Sequence, residues 1–118
     1  MAEGFARNFL MGKKSIIDSA GIRADGVNLL AIEVMKEIDI DISNQISKEI
    51  SSIDFNQFDI IVTVCDDAQK NCPIFPEKRM IHRRVMDPVD FIGTINQKRK
   101  IYRKVRDDIQ QIVIDILI

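Results

Sequence analysis

The chain has 118 residues, of which 46% are hydrophobic and 30% charged, a composition that suits one compact domain with a hydrophobic core. Its 17 basic and 18 acidic residues leave a formal net charge of −1, so the sequence carries no bias towards nucleic acid. No apolar run approaches membrane-spanning length, and the N-terminal segment lacks the layout of a signal peptide, so we expect a cytoplasmic protein.

The first third of the chain alternates helical and strand-like patterns. Residues 2–10 carry apolar side chains at helical spacing and predict a helix. Residues 15–21 are β-branched and end in glycine, which predicts a strand. Residues 26–38 predict a second helix, for which Asn28 is a candidate N-cap.

The remaining elements continue this alternation. Residues 58–65 are almost entirely apolar and β-branched, which predicts a central strand covered on both faces. Residues 78–85 predict a weaker strand and residues 94–118 a long helix. One side of that helix carries the apolar residues Ile95, Ile101, Tyr102, Val105, Ile109, Ile112, Val113 and Ile116. Alternating elements predict an α/β fold, with a mostly parallel sheet flanked by helices, in a single domain over residues 1–118.

Only two cysteines occur, and both belong to the segment around the end of the predicted central strand. Cys65 closes that strand, at the sheet edge where open parallel sheets bind ligands. If the residues between them were helical, Cys65 and Cys72 would lie about 10 Å apart along the axis, whereas a disulfide needs Cα atoms within roughly 7 Å. Such a pair would be a redox switch that closes when the turn melts. On spacing alone, two structural cysteines are the commoner explanation. A zinc site is not indicated, because His82 is the only histidine.

Longer motifs carry a family resemblance over nearly the whole chain. The segments MAEGFAR, GVNLLAIEVMKEIDIDISNQ and DIIVTVCDDAQKNCP, followed by His82 and the Asp87–Pro88 pair, closely resemble the thioredoxin-coupled arsenate reductases. Those enzymes belong to the low-molecular-weight protein tyrosine phosphatase family. The resemblance implies the phosphatase-like α/β fold, an open parallel sheet flanked by helices.

The resemblance also implies a chemistry. In that family a phosphate-loop cysteine attacks arsenate, a second cysteine attacks the cysteine–arsenic adduct so that arsenite leaves, and a third resolves the resulting disulfide. Cys65 matches the second cysteine, Cys72 the third, and Asp87 the aspartate that serves as general acid in the phosphatases. Thioredoxin is then the expected reductant and partner, and no bound cofactor is expected. Without the resemblance, Asp87 would be explained by turn formation at Asp-Pro.

One family motif is not found in the 118 residues. The phosphate loop reads Cys-x5-Arg-Ser and directly precedes a segment like the one at Met1, whereas neither cysteine here has an arginine six positions later. We therefore expect the chain as given to lack the first, central strand and the arsenate-binding loop, and to be inactive. We also expect its open sheet edges to favour a homo-oligomer.

The resemblance further implies a cation site that this sequence matches only in part. Some family members bind potassium beside the phosphate loop, and Glu3 and Ser19 match two of its ligands. Lys48 stands where the family uses a carboxylate, which argues against potassium here. No pattern suggests a divalent metal.

Three functions of different class remain open. The first is reduction of arsenate to arsenite through a cysteine relay that thioredoxin regenerates. The second is a low-molecular-weight tyrosine phosphatase, although that branch commonly has an aromatic residue after Asp-Pro, where this chain has Val89. The third is a non-catalytic redox or binding protein whose only chemistry lies in Cys65 and Cys72.

Overall fold

The computed structural model describes residues 1–13, 15–20, 28–64, 79–86 and 88–117. Within these ranges the helices are α1 (Ala2–Phe9), α2 (Leu29–Lys36) and α3 (Ile95–Leu117), and the strands are β1 (Ile60–Thr63) and β2 (Arg79–His82). Short 3-10 turns lie at Ile50–Ser52, Phe55–Gln57 and Pro88–Asp90. The fold is α/β, with a small parallel sheet flanked by helices, as predicted. None of the helices described is both long and apolar enough to cross a bilayer.

β1 and β2 form a parallel pair in which Ile60 lies opposite Arg79. The prediction that β1 is covered on both faces is wrong, because Ile60 and Val62 are each 37% exposed. Exposed and half-buried side chains alternate along the strand. Since successive side chains of a strand point to opposite faces, β1 presents only one face to the packed interior.

The strand predicted over residues 15–21 is absent from the part of that stretch that the structure describes. Residues 15–20 have no regular secondary structure, and the sheet of the described chain contains β1 and β2 alone. A strand exists through hydrogen bonds to a neighbouring strand. β-Branched composition without such a neighbour therefore did not produce one here.

Both ends of α2 are closed by local hydrogen bonds. The Asn28 side chain accepts from two backbone N–H groups of the first turn, at 2.9 and 3.2 Å, which confirms the predicted N-cap. The last turn closes with two backbone hydrogen bonds of 3.0 and 3.1 Å in the Schellman pattern. Asp39 adopts the left-handed conformation that this pattern requires, at φ 63°. The residues after this turn pack against α1, where Ile40 and Ile42 lie beside Gly4.

The hydrophobic core lies where α1 and α2 pack against α3. Its most deeply buried side chains are Phe5, Val34, Met35 and Ile42, each at most 1% exposed. The predicted apolar side of α3 contributes Tyr102, Val105, Ile109 and Val113. Ile95, predicted on the same side, is 52% exposed. The first turn of α3 contains no buried residue, so it extends beyond the core.

A row of arginines on α3 pairs with Glu33 on α2 and with Glu37, the residue that directly follows α2. Arg99 Nε lies 3.0 Å from Glu33 Oε2, and Arg103 Nη2 lies 2.7 Å from Glu37 Oε2. Arg106, only 9% exposed, donates to Glu37 Oε1 at 3.0 Å and to a backbone carbonyl of α2 at 2.9 Å. These bonds satisfy a guanidinium that would be costly to bury alone.

Candidate functional site

Side-chain and backbone hydrogen bonds join the carboxyl ends of β1 and β2. Thr63 Oγ1 and His82 Nδ1 share a hydrogen bond of 2.6 Å. The Arg83 N–H donates to the Thr63 carbonyl at 2.9 Å. In open α/β sheets this is the edge at which ligands bind. Cys65 follows Thr63 by two positions in the sequence.

The three predicted catalytic residues lie outside the described residues. Cys65 and Cys72 fall within residues 65–78, and Asp87 is a single position between described ranges. Their roles therefore stay predictions. What the structure does place is the frame around the cysteine segment, which follows β1 and precedes β2 in the chain.

Glu3 and Ser19, the two expected cation ligands, are brought into contact across 16 positions of sequence. Ser19 Oγ donates to Glu3 Oε1 at 2.5 Å. Arg7 Nε donates to the other carboxylate oxygen, Oε2, at 2.9 Å. Glu3 is only 7% exposed. Burial of a carboxylate is tolerated when the charge is both paired and hydrogen-bonded, and Glu3 meets both conditions.

A second ion pair adjoins this contact. Lys48 Nζ pairs with Asp18 Oδ1, which also accepts from the Ser19 N–H at 2.9 Å. Arg7 Nη2 donates to the Ile17 carbonyl at 2.7 Å. Burial acts to raise the pKa of Asp18, but the Lys48 hydrogen bond and charge and the Ser19 N–H outweigh it, so this pKa lies below its ordinary value. Residues 17–19 are thus held to α1 and to Lys48 by charged hydrogen bonds.

A cavity of about 280 Å³ lies beside these pairs, between α1 and residues 40–48. Its polar lining comes from Glu3, Arg7, Asp41, Asn44, Gln45 and Lys48. Asp41 accepts from the Ser43 hydroxyl at 2.6 Å and the Ser43 N–H at 2.8 Å, which together lower the pKa of Asp41. Among the described residues, the buried Gln45 amide nitrogen has no hydrogen-bond partner. The cavity wall therefore mixes charges of both signs with an unused donor.

The sequence anticipated part of this cluster. The resemblance led us to expect Glu3 and Ser19 at this place, and a lysine, Lys48, where the family uses a carboxylate. It gave no expectation for Arg7 and Asp18. A signal for Arg7 existed, because Glu3 and Arg7 are four positions apart on a helix and can pair. No local pattern links Asp18 to Lys48, which are 30 positions apart.

Known proteins similar to this chain point to one family. The family described as low molecular weight phosphotyrosine protein phosphatase matches residues 1–117. An arsenate reductase of Bacillus subtilis (strain 168) is 43% identical over 110 residues, which cover 92% of this chain and 78% of that protein. A solved arsenate reductase in the oxidized state has a TM-score of 0.80 and 26% identity, covering 95% of this chain and 81% of the other. One in the reduced state has a TM-score of 0.75 and 26% identity, covering 98% and 83%.

Proposed function

Because the chain belongs to the low molecular weight phosphotyrosine protein phosphatase family, we propose that it acts as an arsenate reductase. The observation that carries the proposal is the similarity over 92% of this chain to a protein named arsenate reductase. The similarity in fold to arsenate reductases of known structure supports it further. The position of the cysteine segment after β1, at the carboxyl end of a parallel strand pair, is consistent with chemistry at that edge.

Cys65 and Cys72 are the two thiols that this chain contributes to the reaction. A first thiolate displaces water from arsenate and forms a bond between sulfur and arsenic(V). The Cys65 thiolate attacks that sulfur, the sulfur–arsenic bond breaks, and its electron pair reduces arsenic(V) to arsenic(III), which leaves as arsenite. The Cys72 thiolate then attacks the Cys65 sulfur and releases the first thiolate. Thioredoxin reduces the remaining Cys65–Cys72 disulfide by supplying two electrons and two protons.

The strand frame constrains how this disulfide can close. The Cα atoms of the two cysteines must come within roughly 7 Å. The contact between Thr63 and His82 joins the strand ends, so we expect β1 and β2 to keep their pairing when the disulfide forms. Asp87 is the proposed general acid, which protonates the oxygen that leaves arsenate as water.

The first thiolate is not supplied by either of these cysteines. Neither Cys65 nor Cys72 has an arginine six positions later, so neither forms the anion-binding loop of the family. We therefore expect the 118-residue polypeptide to be inactive by itself. It should gain activity when a strand and a Cys-x5-Arg-Ser loop are joined ahead of Met1.

The test compares the 118-residue polypeptide with this extended version, each supplied with arsenate, thioredoxin, thioredoxin reductase and NADPH. Arsenate-dependent NADPH oxidation is expected only in the extended version. It should fall to background in the extended Cys65→Ser and Cys72→Ser variants, because each lacks one thiol of the relay. The matched control Ser51→Ala changes an exposed residue and should keep full activity.

Three results would contradict the proposal. If the Cys72→Ser variant still turned over arsenate, Cys72 would not be required by the mechanism. Hydrolysis of p-nitrophenyl phosphate by the extended version, without arsenate reduction, would make the chain a phosphatase. In the extended version, a Cys65–Cys72 disulfide that thioredoxin reduces although neither arsenate nor p-nitrophenyl phosphate is turned over would identify a non-catalytic redox protein.

A further inference from the structure

The potassium ion that the family resemblance implies does not fit the residues around Glu3 and Ser19. An alkali cation is held by several oxygen atoms, and a carboxylate oxygen that accepts one hydrogen bond keeps only one further lone pair for it. Both Glu3 carboxylate oxygens already accept strong hydrogen bonds, from Ser19 Oγ at 2.5 Å and from Arg7 Nε at 2.9 Å. The guanidinium of Arg7 also places one positive charge directly against this carboxylate.

A second positive charge, that of Lys48, lines the same cavity. The Lys48 ammonium pairs with Asp18, whose carboxylate oxygen also accepts the Ser19 N–H. Glu3, Arg7 and Lys48 line one cavity, so a cation entering it would meet two fixed cations. Like charges in a partly buried site repel strongly, because the solvent screens them poorly.

We propose that Lys48 replaces the alkali cation of this site, so that its ammonium group acts as a tethered cation and the fold does not require potassium. Two cations, Arg7 and Lys48, balance the two carboxylates, Glu3 and Asp18. The remaining carboxylate of the cavity wall, Asp41, is satisfied by its two hydrogen bonds from Ser43.

The arrangement accounts for how residues 15–20 are held. They form no strand. Their described side-chain contacts include the bonds of Ser19 to Glu3, of Asp18 to Lys48 and of Arg7 to the Ile17 carbonyl. The Lys48 ammonium holds Asp18 without a bound ion, whereas a bound ion would hold it only above its dissociation constant. This inference concerns the charge balance of the fold and does not rest on arsenate reduction.

The experiment measures thermal unfolding of the 118-residue chain in potassium chloride and in tetramethylammonium chloride at equal concentration. The wild-type Tm should be the same in both salts. The variant Lys48→Asp removes the ammonium and adds a carboxylate ligand. Its Tm should therefore be higher in saturating potassium chloride than in tetramethylammonium chloride, by about 4 °C or more. Lys104→Asp makes the same change of net charge at a lysine whose side chain is 69% exposed on α3, and it should show no such difference.

Either half of this experiment can overturn the proposal. A saturable, potassium-specific rise in the wild-type Tm would mean that the ion binds despite Lys48. Equal salt responses of Lys48→Asp and Lys104→Asp would mean that Lys48 does not stand in a cation position. If Lys48→Asp does not fold, Lys48→Gln replaces it: its Tm should fall in tetramethylammonium and recover in part in potassium. No recovery would again refute the proposal.

Discussion

Gly4 shows how a single residue sets the distance between α1 and the cavity wall. A Cβ at this position would lie 2.7 Å from Ile42 Cγ2 and 3.3 Å from the Gln45 amide nitrogen. Ile42 is 1% exposed, so its methyl group has little room to move. Gly4→Ala gains up to about 1 kcal/mol from helix propensity, but overpacking a tight contact costs typically 1–3 kcal/mol. We therefore expect a net loss of about 1 kcal/mol in the free energy of urea unfolding.

Asn8→Ala is the matched control on the same helix. Asn8 is exposed, so an alanine there meets no buried neighbour and gains only helix propensity. It should leave the free energy of unfolding unchanged or raise it by about 0.5 kcal/mol. If Gly4→Ala stabilised the protein as much as Asn8→Ala, the close approach of α1 to residues 40–45 would be wrong.

At individual positions, the sequence predicted what depends on near neighbours in the chain. Asn28 was recognised as an N-cap because its partners lie two and three residues away. The contact of Glu3 with Ser19 was expected only through the family resemblance. The pairing of Asp18 with Lys48 depends on how residues 15–20 and 40–48 meet in space, and no sequence period encodes that meeting.

At the scale of elements, α2 and α3 differ in how much each depends on its N-cap. α2 has only eight residues, and the buried Ala31 lies in its first turn. α3 has 23 residues and is preceded by Thr94, whose hydroxyl accepts from the Gln97 N–H at 3.2 Å. Asn28→Ala should therefore lower the free energy of unfolding by about 1–2 kcal/mol. Denaturant titrations followed by circular dichroism measure this loss.

Thr94→Ala is the comparison within the same protein. It removes the same kind of bond, but the first turn of α3 is exposed and can fray without disturbing the core. We expect a loss of no more than about 0.5 kcal/mol. A larger loss for Thr94→Ala than for Asn28→Ala would contradict this account of the two helices.

Whole elements could be predicted where one period of apolar residues decides the outcome. The three helices and the parallel pair lie where the sequence placed them, although β1 is shorter and more exposed than expected. The described residues 15–20 of the predicted strand form none, because strand formation depends on a neighbouring strand, which composition does not reveal. The predicted apolar side of α3 includes Ile95, which is exposed, since periodicity indicates a face of a helix and not what covers it.

For the whole molecule, the pH dependence of the free energy of unfolding is set in part by carboxylates that are ionised more easily in the folded state. Hydrogen bonds and charges from Arg103, with the charge of Arg106, lower the pKa of Glu37. The pKa values of Asp18 and Asp41 are also lowered. A lowered pKa in the folded state adds stability above the unfolded-state value of about 4, and this stability is lost as the pH falls through the folded-state value. In urea unfolding, the stability that these three carboxylates contribute should therefore be constant from pH 7 to about pH 5 and should decline below it.

Variants of one pair test the source of this decline. Glu37→Gln cannot titrate, so its stability should fall less steeply with decreasing pH than that of the wild type. Arg103→Gln removes the main cause of the lowered Glu37 pKa, so the stability of this variant should also fall less steeply with decreasing pH. Wild-type steepness in both variants would place the acid sensitivity elsewhere in the molecule.

The arginine–glutamate row between α2 and α3 also has a kinetic consequence. Its bonds join residues 66 to 69 positions apart, whereas the turns of each helix form from contacts within four positions. Distant contacts carry the larger loop-closure cost, so we expect the row to form after the helices and late in folding. Interactions absent from the transition state affect the rate of unfolding and not the rate of folding. Salt that screens these partly exposed pairs should therefore shorten the lifetime of the folded protein and leave its refolding time the same, which stopped-flow unfolding and refolding at several salt concentrations would measure.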